Sequence, residues 1–153
     1  MFETILAFLD RIGIPYRETT LQDPTFLPGV TIDGGAVVFD RNHLSYPGDL
    51  LHEAGHIALT PTDERASLNQ AVLDAQPANE SAEIGVLLWT FLACREIGLP
   101  PEIVFHAGGY KEGSTWLIEQ FEGGNAIGQP LLNWMGVTES TSAGIRVVSW
   151  LRT

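Results

Sequence analysis

Pro47-Gly48-Asp49-Leu50-Leu51-His52-Glu53-Ala54-Gly55-His56-Ile57-Ala58-Leu59 is the stretch whose reading decides the fold. Pro47 suits the first position of a helix, Asp49 suits its positively polarised start, and Pro61 follows closely enough to end it. At 3.6 residues per turn, His52 and His56 fall about 40° apart on one face, with Glu53 about 100° from His52 at its edge. Leu50, Leu51, Ala54, Ile57 and Ala58 take the opposite arc, so the expected helix has a core side and a side bearing chemistry. His-Glu-x-x-His on a helix is a zinc pattern. Two neutral imidazoles one turn apart can share an ion at ~2.0–2.1 Å, and the glutamate can reach a water beside it without becoming a ligand. With 4 His and 12 Glu in 153 residues, chance supplies this pattern about 0.8% of the time.

A catalytic zinc site takes three protein ligands and keeps one position open. The third is sought on the next helix, expected from Glu80 to about Ile97, with Asn79 as its cap and Gly98 and Pro100-Pro101 closing it. That helix is apolar almost all round and is expected to be buried. Glu83 shares a stripe with Leu87, Thr90 and Cys94, where a carboxylate is costly unless it meets a cation. Glu80 opens the helix, where the dipole alone explains an acid. Glu83 is therefore the expected third ligand, with Glu80 the alternative. His106 precedes Ala107-Gly108-Gly109-Tyr110, a turn that can bring His106 or Tyr110 toward the ion as donor to a developing oxyanion. An ordinary helix end explains the same residues without chemistry. Asp49 can orient a ligand imidazole, or serve only the helix dipole.

The His-Glu-x-x-His helix followed by a glutamate on the next helix resembles the gluzincin zinc metallopeptidases over about residues 47–94. Asn79-Glu80 is similar to the start of the third-ligand helix in thermolysin-type members, which by resemblance favours Glu80. Glu83-Ile84-Gly85-Val86-Leu87-Leu88-Trp89, with Gly48 to His56 and Val104-Phe105-His106, resembles instead stretches of small bacterial proteins without an assigned function. The two resemblances together imply a minimal zincin-like domain. They also imply that the hairpin before the metal helix acts as an active-site edge strand, to which an extended peptide could add. A hairpin that merely covers the core is the plain alternative.

Outside these motifs, Phe2, Ile5, Leu6, Leu9 and Ile12 repeat at helical spacing up to Gly13. Val30 and Ile32, then Asp33-Gly34-Gly35, then Val37-Val38-Phe39 predict a β-hairpin around a positive-φ turn. Short helical pieces are expected over 100–106 and 113–121, while 145–151 reads equally as strand or helix. Early strands followed by mostly helices make the chain α+β, and no linker divides it, so residues 1–153 are expected to form one domain. Trp89, Trp116, Trp134 and Trp150 are expected in or near the core.

The balance of 8 Lys+Arg against 19 Asp+Glu, a net charge of −11, argues against binding nucleic acid or anionic membranes, which require clustered cations. A single cysteine, Cys94, excludes an internal disulfide and a thiolate-rich zinc site. No apolar run approaches the ~20 residues that span a bilayer, and the first residues lack the basic start of a signal peptide. The expectation is a cytoplasmic, zinc-dependent hydrolase acting on a peptide or protein. Zn²⁺ is held by His52, His56 and Glu83, Glu53 is the general base, and His106 or Tyr110 faces the oxyanion. The rival expectation is a non-catalytic metal-binding domain acting in protein interaction, its fourth position closed by His43, Asp49 or Glu80.

Overall fold

Helix α1 (Phe2–Ile12) turns Ile5, Leu6, Phe8 and Leu9 into the core and ends on Gly13 at φ 82°, as the apolar spacing predicts. These positions come from a computed structural model that describes residues 1–76, 80–110 and 113–153, the side chains of Glu80, Ser81 and Tyr110 excepted. The expected Asn79 cap lies outside the described residues.

Strands β1 (Tyr16–Glu18), β2 (Val30–Asp33) and β3 (Ala36–Phe39) form one sheet in the order β1-β3-β2. β2 and β3 are the predicted antiparallel hairpin, pairing Val30 with Phe39 and Asp33 with Ala36. β1 adds in parallel on the other side of β3, Tyr16 facing Val37. The central strand is buried along its whole length, so both of its faces carry apolar residues. The hairpin turns on Gly34 and Gly35 at φ 59° and 72°, the pair of positive values that a two-residue turn matched to strand twist requires. Beyond β3, the buried Asp40 carboxylate accepts the Leu21 and Asn42 amides, each at 3.1 Å, and pairs with the His43 ring at 2.8 Å. These bonds, the Leu21 amide foremost, hold its pKa below the ordinary value. Asp40 thus ties the long loop before β2 to the turn that follows β3.

Helix α2 (Asp49–Ala58) lies between this sheet and helix α5 (Glu80–Ile97). It begins two residues later than the sequence suggests, because Pro47 and Gly48 form a turn whose carbonyls accept the amides of Leu50 and Leu51. α5 is buried without interruption from Val86 to Cys94, as its all-round apolarity predicts. At its centre Trp89 is fully buried, donates its indole N–H to the Trp150 carbonyl at 3.0 Å, and meets Phe8 and the Trp150 ring.

Between α2 and α5 run two short helices, α3 (Thr62–Arg65) and α4 (Gln70–Ala75). After α5 come a 3-10 turn at Pro101–Ile103, then α6 (Ala107–Tyr110), α7 (Gly113–Glu122) and α8 (Gln129–Trp134). A hairpin of β4 (Thr138–Thr141) and β5 (Gly144–Val147) follows. The undecided stretch 145–151 is therefore strand as far as Val147 and irregular beyond. The architecture is α+β. Two tryptophans depart from expectation: Trp116 is 52% and Trp134 73% exposed, since each projects from a short outer helix. Among the described residues no helix is long and apolar enough to cross a membrane.

A Cβ on Gly35 would collide with the Arg65 carbonyl oxygen, whereas one on Gly34 would meet nothing. Gly34→Ala should cost about 1–2 kcal/mol from backbone conformation alone. Gly35→Ala should cost about 1–3 kcal/mol more, from overpacking. Denaturant unfolding of the two variants checks this, and equal losses would contradict the packing of the turn on Arg65.

Candidate metal centre

The site is assembled by the crossing of α2 and α5. Gly55 faces α5, and a Cβ there would lie 3.0 Å from Val86 and 3.2 Å from Trp89. The absence of a side chain lets the helices approach closely, and Glu83 stands one turn before Val86 on the face that α2 meets. His52 Nε2 and His56 Nε2 lie 3.2 Å apart. Glu83 Oε1 is 3.3 Å from the first and Oε2 is 3.4 Å from the second. Ligand atoms at ~2.0–2.1 Å from a tetrahedral zinc ion are separated from one another by about 3.3–3.4 Å. The three side chains thus stand at spacings close to these, Glu83 turning a different oxygen to each ring. Among the described residues they are the one group of three or more His, Cys, Asp or Glu placed to hold a metal ion.

The electrostatics of the group suit a cation. Burial, chiefly, pulls His52 down to about 3 and His56 to about 4, so both rings are neutral near pH 7 with lone pairs available. Burial also raises the Glu83 carboxyl. Glu53 is 4% exposed, and its Oε2 is buried without a hydrogen-bond partner. Burial, reinforced by the neighbouring charges of Asp49 and Glu83, pushes its pKa up to about 8. A divalent cation at the triangle acts in the opposite sense and favours the carboxylate form.

Glu83 departs from expectation in one respect. Its stripe-mates Leu87, Thr90 and Cys94 are buried, but its own side chain is 43% exposed and closes the triangle from the solvent side. The alternative ligand Glu80 has its side chain outside the described residues, as does Tyr110.

His106 is brought to α2, and its partner there is Asp49. Nε2 lies 2.6 Å from Asp49 Oδ1, and the Tyr46 ring stacks on the imidazole with centroids 3.7 Å apart. Asp49 is 2% exposed, and its burial raises its pKa against the opposing bond from His106. Asp49 therefore does more than serve the helix dipole, and the imidazole it holds is His106, not a ligand ring. Its Oδ2 and His106 Nδ1 are both buried without a hydrogen-bond partner. The charge of His106 also bears on His52, lowering its pKa further. No local spacing signals this pair, since 57 residues separate its members. His43, one of the three residues named for closing the site, is held by Asp40.

No family model matches this chain, no curated protein matches its sequence, and no solved structure matches its fold.

The purified, metal-stripped protein should take up one zinc ion per chain, read by calorimetry and elemental analysis. His52→Ala, His56→Ala and Glu83→Ala should each weaken binding by about 100-fold or more, above the 10–100-fold cost of losing an outer partner. Glu80→Ala should leave it unchanged. Undiminished affinity in His52→Ala, or a larger loss in Glu80→Ala than in Glu83→Ala, would overturn the assignment.

Proposed function

We propose that the chain is a zincin-like, zinc-dependent hydrolase acting on the amide bonds of peptides. The observation that carries this reading is Glu53. Its carboxyl is buried beside the triangle with one oxygen unpartnered, an arrangement that costs stability and that a purely structural metal site does not need. The three-stranded sheet beside α2 and the glutamate on α5 support a zincin-like arrangement.

Zinc held by His52, His56 and Glu83 would supply Lewis acidity, polarising an amide carbonyl and acidifying water at the site. Glu53 would take a proton from the attacking water as its oxygen bonds to the carbonyl carbon. As the carbon–nitrogen bond breaks and its electron pair goes to nitrogen, Glu53 would return that proton to the leaving amine. Asp49 fixes His106 by one nitrogen, and Tyr46 fixes its plane. His106 is thus held rigidly at the same helix, where it would favour negative charge that develops on the substrate oxygen. Tyr110 remains a second candidate for that role.

The non-catalytic rival needs a fourth ligand. His43 bonds Asp40 and Asp49 bonds His106, and neither belongs to the His52, His56 and Glu83 group, which speaks against the rival.

Glu53→Gln keeps the shape of the side chain and removes its ability to carry the proton. It should lower peptide hydrolysis by about 10²–10⁴-fold with zinc content unchanged. Undiminished turnover in the zinc-loaded variant would contradict the assignment of Glu53.

A further inference from the structure

A cleft of about 380 Å³ opens directly from His56 toward the C-terminal segment of the chain. Leu59, Leu73, Val86, Leu131 and Met135 form its apolar part, and Thr60, Glu64 and Gln76 line the rest. At that volume it accommodates one or two side chains of a small ligand. Its far side carries Arg152 and Trp134, with the guanidinium 5.0 Å above the indole ring. The placement of Arg152 follows from the end of α2. Its backbone N–H caps the Ala58 carbonyl at 2.9 Å, and Nη1 donates to the Leu59 carbonyl at 3.3 Å. The cation is thus pinned about one helical turn beyond His56.

Three arginines, Arg65, Arg95 and Arg152, bond backbone carbonyls and no acid among the described residues, and of these Arg152 alone lines the cleft at His56. Acids outnumber Lys+Arg 19 to 8, and Arg11, Arg17, Arg41 and Arg146 each pair with one. Arg152 pairs with no acid among the described residues. Glu64, exposed at the rim of the same cleft, is not bonded to it. One donor of a five-donor fork is spent on Leu59, and the residue that carries the others lines the cleft. A fork fixed by a ring and a backbone carbonyl is preorganised for a carboxylate, which it binds by charge-assisted hydrogen bonds.

We propose that this cleft recognises the C-terminal residue of a peptide, its apolar or aromatic side chain against the Leu59–Met135 wall and its free α-carboxylate on Arg152. Resting on the hydrolase reading, this makes the substrate class short peptides cut next to an apolar C-terminal residue. Trp134, 73% exposed, then has a role as the platform that positions the guanidinium.

The test compares N-acetyl-Ala-Phe as free acid and as C-terminal amide, by calorimetry on the zinc-loaded Glu53→Gln protein, where no turnover intervenes. The free acid should bind about 10-fold or more tightly than the amide. Arg152→Gln should abolish that preference, and Arg152→Lys should restore part of it. Trp134→Ala, a surface change that leaves the core intact, should reduce it as well. Equal binding of acid and amide by the parent protein, or a preference that survives in a folded Arg152→Gln protein, overturns the proposal. Turnover by the wild type separates the two claims. If it cleaves peptides but cuts acid and amide equally, the cleft assignment falls while the hydrolase reading stands. If it cleaves neither yet shows the Arg152-dependent preference, the hydrolase reading falls and the carboxylate site stands.

Discussion

The structure depends on one expensive burial. Nine of the ten residues of α2 are buried, and Asp49, His52 and Glu53 are among them. Each ionisable group withdrawn from water must be neutralised, paired or bound to a cation. Asp49 is met by His106. The two imidazoles are met by remaining neutral, and their Nε2 atoms lie 3.2 Å apart and 3.3 and 3.4 Å from the Glu83 carboxylate. Glu53 keeps a buried oxygen without a partner, as Asp49 does at Oδ2, and burial raises its pKa. One divalent ion held by His52, His56 and Glu83 would favour the charged forms of Glu83 and Glu53 together. That convergence, more than the motif, makes the metal the economical explanation of the site.

Much of the surrounding fold can be understood as holding α2 in place. The sheet covers one side, with β3 buried at its centre. α5 covers another, and the bare surface of Gly55 admits Val86 and Trp89 close enough for Glu83 to reach the histidines. The C-terminal segment returns to cap the last carbonyls of α2 through Arg152, while Trp150 receives the Trp89 indole bond. Residues 150–152 are therefore built into this region, and Arg152 lines the cleft that His56 of the candidate metal group also lines.

The parts of this arrangement that were legible in the sequence are those with local periodicity. α1 and α2 repeat apolar residues at helical spacing, α5 is apolar almost all round, and the Gly34-Gly35 turn requires the positive φ that it shows. Glu83 was readable from its stripe for a reason that holds only in part: the stripe is buried, but the carboxylate itself lies half in solvent. β1 left no signal, because three residues carry no usable period and their pairing partner lies some twenty residues away. The short helices around α2 and the outward turn of Trp116 and Trp134 depend on tertiary packing that composition does not encode. The Asp49–His106 pair is non-local for the same reason. Its members were individually suspect, but only the fold joins them.

The central claim is the coordination of one metal ion by two imidazoles and a carboxylate. X-ray absorption at the zinc edge of the loaded protein in solution tests it most directly. The account predicts a first shell of nitrogen and oxygen only, at ~2.0–2.1 Å, with the outer-shell scattering of two imidazoles. A shell containing sulfur, one with a single imidazole, or a six-oxygen shell typical of a loosely held hydrated ion would contradict it.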